Sequence, residues 1–71
     1  MKRITGTVVY IELEGGFWGI QTATENYFPL HMHEQLKSPN LELSCSIKID
    51  TEVMTMQSWG IPCHIVRFST Q

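Results

Sequence analysis

Along this 71-residue chain the apolar positions recur every second residue, and glycines and prolines cut the repeats into pieces of strand length. The clearest case is residues 41–49, where Leu41, Leu43, Cys45, Ile47 and Ile49 alternate with Glu42, Ser44, Ser46 and Lys48. That pattern describes a strand with one face in a core and the other in water. Residues 4–13 are rich in Val, Ile, Thr and Tyr, and Val9, Ile11 and Leu13 form the expected inward set. Ile4 has the opposite parity, so the pattern predicts an extra residue at Gly6 and a long, bent first strand. Glu14-Gly15-Gly16 marks a tight hairpin turn, residues 17–22 the return strand, and Tyr27-Phe28 a third strand that Pro29 ends. Residues 30–37 lack alternation and predict one short helix, stopped before Pro39. Beyond the turn at Asp50-Thr51-Glu52, a strand is expected over 53–59. A kink follows at Gly60-Ile61-Pro62, with a second bulge there, and a closing strand over 63–69.

Several short antiparallel strands with a single short helix, all within residues 1–71, predict one all-β domain: a small five-to-six-stranded antiparallel barrel, with a small β-sandwich as the alternative. The order of elements matches the oligonucleotide/oligosaccharide-binding (OB) barrel, in which a bent first strand bonds into both halves and a helix plugs one end. The wording of the chain adds to this. The run Ile11-Glu12-Leu13-Glu14-Gly15-Gly16-Phe17-Trp18-Gly19-Ile20, then Tyr27, Pro29-Leu30 and Leu36-Lys37, and later Met56-Gln57-Ser58-Trp59-Gly60-Ile61-Pro62, resembles a family of short, uncharacterised prokaryotic domains with OB-like barrels. The resemblance implies a fold and no particular reaction or ligand. His31-Met32-His33 stands where that family carries Asn-Leu-Pro, which puts a shared role for this loop in doubt.

Composition narrows the function classes. With 42% hydrophobic residues and a net charge of −2, the chain can bury enough apolar surface to fold. No apolar run approaches the roughly 20 residues that span a bilayer, and the start shows no secretory leader, so a cytoplasmic location is expected. Cys45 and Cys63 are too few for a disulfide scaffold or a thiolate zinc site and read as buried apolar filling. The pI near 5.8 and the scatter of Lys2, Arg3, Lys37, Lys48 and Arg67 disfavour a partner bound through phosphates.

The candidate ligand-binding residues are Phe17, Trp18, Tyr27 and Trp59, with Phe28 beside them, because OB barrels stack ligands on aromatics of the second and third strands. Strand alternation sends Phe17 and Trp18 to opposite faces, and Tyr27 and Phe28 likewise, so about half of these rings serve the core. His31, His33 and Glu34 offer metal-binding atoms, with Cys63-His64 as distant partners. Residues two apart do not share a helix face, however, and the expectation is no metal and no cofactor. Adjacent strand residues cannot easily form a Cys63-His64 dyad, and the acids Glu12, Glu14, Glu42, Asp50 and Glu52 read as solubilising side chains. No phosphate loop or nucleophile elbow occurs. The expected function is a non-catalytic binding module that engages a protein or small ligand through Trp18, Tyr27 and Trp59. Weak single-stranded nucleic-acid binding is the alternative, and the expected state is a monomer or weak homodimer.

Overall fold

The first strand organises the molecule. In the computed structural model, which describes residues 1–13, 15–53 and 59–70, β1 (Lys2–Ile11) pairs on both sides. Lys2 to Thr7 lie antiparallel to β4 (Glu42–Ile49), and Thr7 to Ile11 lie antiparallel to β2 (Phe17–Gln21). With β3 (Asn26–Pro29) and β5 (Ile61–Thr70) the strands close into a barrel in the order β1-β2-β3-β5-β4.

Closure of five strands corrects one expectation. Directions can alternate all the way round a ring only if the number of strands is even, so an odd ring needs one parallel pair. That pair is β3 with β5, Tyr27 facing Ile61, Phe28 facing Pro62 and Pro29 facing Cys63. Closure gives each strand a neighbour on either side, over a short stretch at β3, which meets Ile20 and Gln21 of β2 and Ile61 to Cys63 of β5.

The bulge expected at Gly6 does not occur. Both registers of β1 run without a shift, and the buried positions are Ile4 and Val8, with Gly6 between them on the same parity. Val9 and Ile11 therefore face outward, half-buried, and Leu13 is exposed. Gly6 is needed for another reason: a Cβ there would stand 2.6 Å from the carbonyl oxygen of Gln21, so only glycine lets the two backbones approach.

A register shift does occur in the β4–β5 ladder, where Ser46 faces Arg67 but Ile47 faces Ile65, leaving Val66 as the extra residue. The second bulge thus lies beyond the Gly60 kink rather than at it. It lets both Ile65 and Phe68 pack against the core. Gly60 turns the chain with φ +80°, and Gly15 and Gly16 do the same at the hairpin, as their left-handed conformations require.

The helix expected over 30–37 shrinks to a single 3₁₀ turn, Glu34–Leu36. Eight residues are too few to hold a helix without tertiary support, and His33 is extended, with ψ 140°. What the segment contributes is burial: Met32 and Leu36 join Val8, Ile20, Leu43 and Ile47 in the core. Of the strand expected over 53–59, residues 54–58 lie outside the described set; Val53 and Trp59 belong to no strand.

Candidate functional site

The four aromatic candidates do not form one group. Tyr27 faces Ile20 across the β2–β3 ladder and is 2% exposed, a core residue with the Lys2 ammonium 5.9 Å from its ring centre. It offers no free face to a ligand. Trp18 faces Tyr10 across the β1–β2 ladder, and the two rings meet edge to face at 5.0 Å and 65°. Trp18 is half-buried against the core, whereas Tyr10 is 43% exposed.

Phe17 and Trp59 lie on the opposite, outward side of β2. Phe17 is only 8% exposed because Phe28 (5.2 Å, 74°) and Trp59 (5.8 Å, 62°) both set ring edges against it. Trp59 is seated on Gly19, where a Cβ would overlap the indole ring. The sheet thus has an apolar cluster outside the barrel in addition to the one inside. The hairpin turn joins this cluster to the Tyr10–Trp18 pair, since Gly16 lies against the Tyr10 side chain and its N–H donates to the Leu13 carbonyl at 2.8 Å. Leu13, 58% exposed, extends the apolar surface at the tip.

Sequence reasoning left Tyr10 and Gly19 out of this site and set Phe28 only beside it. A glycine inside a strand, flanked by Trp and Ile, is the available signal for close approach by another group. The pairing of Tyr10 with Trp18 follows from counting outward from the Gly15-Gly16 turn.

The other candidates are placed apart. His31 and His33 bring their ring centres to 5.5 Å, but His33 packs edge-on to Phe68 at 4.9 Å and its Nδ1 is buried with no hydrogen-bond partner among the described residues. Glu34 accepts from the Lys37 ammonium at 2.8 Å, and that bond holds its carboxyl below the usual range. Among the described residues no group of three or more His, Cys, Asp or Glu side chains is placed to hold a metal ion.

Cys63 points into the barrel and His64 out of it, where its Nε2 lies 2.9 Å from Asp50 Oδ2. Asp50 also accepts the backbone N–H groups of Glu52 and Val53. The His64 hydrogen bond is the main reason its carboxyl lies below the ordinary value, and the backbone bonds add to it. Burial pushes the thiols of Cys45 and Cys63 up to about 11 and about 12, so neither is a thiolate nucleophile at neutral pH.

An open concavity of about 700 Å³ is walled mostly by polar residues, Thr5, Thr7, Thr22, Thr24, Glu25 and Glu42 among them, and by none of the aromatic candidates. No helix among the described residues is long and apolar enough to cross a membrane. Compared with known protein families, characterised proteins and solved structures, the chain matches none of them.

Proposed function

We propose that the protein is a non-catalytic, OB-like binding module that docks an apolar segment of a partner protein against the aromatic surface at the β1–β2 hairpin. The observation that carries this reading is the Phe17–Phe28–Trp59 cluster outside the barrel, with Trp59 seated on Gly19. A strand face turned to water is ordinarily polar. Here it is apolar, and it continues through the hairpin to exposed Tyr10 and Leu13. Aromatic rings of this kind dominate protein–protein contact energies.

Two features favour a protein over other partners. Small ligands take concave sites that bury most of their surface, whereas the 700 Å³ concavity has polar walls away from these rings. Nucleic acid would need cations beside the stacking rings, but β2 and β3 contain no Lys or Arg.

Affinity capture with the whole protein tests the reading. A partner retained by wild type and by Thr24→Ala, at an exposed turn, but released by Trp59→Ala is the expected result. Capture indifferent to Trp59 removes the proposal. Titration with short single-stranded DNA and RNA is expected to leave the Trp18 and Trp59 indole resonances in place. Shifts there that vanish as salt is raised would transfer the site to nucleic acid.

A further inference from the structure

Two arginines far apart in the chain share one row across three strands. Arg3 on β1 faces Ser46 on β4, and Ser46 faces Arg67 on β5, so two guanidinium-bearing positions flank one serine in a single row. At two strand spacings their backbones are about 9.5 Å apart. The neighbouring row is Thr5, Ser44 and Ser69, and the Thr5 and Ser44 hydroxyl oxygens are 3.1 Å apart.

The bulge at Val66 is what puts Arg67 there. Under strict alternation Arg67 would share the inward parity of Ile65; the extra residue turns it to the outer face opposite Ser46. The resulting concavity, about 170 Å³, is lined by Arg3, Ser44, Cys45, Arg67, Phe68 and Ser69. Among the described residues neither guanidinium takes part in an ion pair. Glu42 and Asp50 each lie four positions along the chain from Ser46, about 13 Å away at the strand rise. Asp50 is moreover engaged by His64.

We propose that this row is an anion clamp for a tetrahedral oxyanion of the phosphate class, held between the Arg3 and Arg67 guanidiniums with the Ser44 and Ser69 hydroxyls as further donors. Two like charges carried at positions on either side of one serine repel, and an anion between them turns that repulsion into two charge-assisted contacts. The planar fork of arginine matches the edge of a phosphate. The volume is below the roughly 300 Å³ of a small-molecule pocket, so it suits a single phosphate group rather than a larger molecule that carries one. The site is on the opposite side of the barrel from the hairpin aromatics and stands independently of their role.

The test is a titration of the isotopically labelled whole protein with inorganic phosphate at constant ionic strength, read on the arginine side-chain and backbone amide resonances. Saturable shifts at Arg3, Arg67, Ser44 and Ser69 are expected, with affinity about tenfold weaker in Arg3→Gln and in Arg67→Lys, which keeps the charge but loses the fork. Shifts that grow without saturation, that chloride reproduces, or that survive unchanged in Arg3→Gln overturn the proposal. Arg3 lies near the start of β1, away from the bulge, so its variant keeps the test decisive even if Arg67→Lys disturbs folding.

Discussion

The two outer faces of this barrel solve the same problem in opposite ways. Outside β1, β4 and β5 the exposed rows are Thr5-Ser44-Ser69 and Arg3-Ser46-Arg67, side chains that water solvates without help. Outside β2 and β3 the row is aromatic, and it is kept from water by covering itself: Trp59 lies on Gly19, and Phe17 is enclosed by Trp59 and Phe28. One face is thus an electrostatic surface and the other a second small core laid outside the ring. A barrel of this size gains from the second arrangement, since a short chain buries a small share of its surface in one core. The arrangement also leaves apolar area at its margin, at Tyr10 and Leu13, for a partner to cover.

The largest effect that can break this contrast is at the seam shared by both faces. Gly6→Val pushes the β1 backbone away from Gln21 and is expected to cost about 3 kcal/mol, through overpacking against backbone rather than a special φ. A urea midpoint that stays put would mean that the strands are not held this closely. Next in size is a matched pair: Phe17→Ala should cost about 2–3 kcal/mol, less than the roughly 3–5 of a ring lost from an enclosed core because Phe17 is covered on the outer face only, while Ser46→Ala should stay within about 0.5 kcal/mol. Equal losses would show that the aromatic face is no second core.

The smallest effect sharpens the contrast through pH. Asp50 has its carboxyl pKa depressed by His64 and by backbone N–H groups, so its contribution is present above the ordinary value of 3.8 and lost as the pH falls below it. The difference in melting temperature between wild type and Asp50→Asn should therefore shrink below pH 3.8. The difference between wild type and Phe17→Ala should not follow that titration.

Where one side of a strand meets water and the other a single core, the pattern of residues was readable, and β4 is the example: Leu43, Cys45 and Ile47 are all buried. It misled in β1 because Val9 and Ile11, the apolar set chosen as inward, lie on the outward side that also carries the second cluster. With apolar residues on both faces, parity no longer says which is inside, and a bulge had to be invented to reconcile Ile4. The same ambiguity put Tyr27 among the ligand-facing rings. The aromatic content of the site was legible in Phe17, Trp18 and Trp59, but its division into two groups depends on Gly19 and on the pairing of Tyr10. The arginine row was illegible, since Arg3 and Arg67 become neighbours only through two registers and a bulge.

The parallel β3–β5 pair bears on how the chain is made as well as on its final shape. Its partners come from opposite halves of the sequence, whereas β1 and β2 are joined by a hairpin of the kind that forms in about 1–10 μs. During synthesis the hairpin and β3 emerge first as an open sheet, and β4 then covers the free flank of β1. β5, the last of the five strands in chain order, is the strand that bonds to both remaining edges. Until it arrives, the nascent chain displays sticky backbone margins together with its phenyl and indole rings. The interval in which this barrel is exposed to misassembly is therefore set by the delivery of β5.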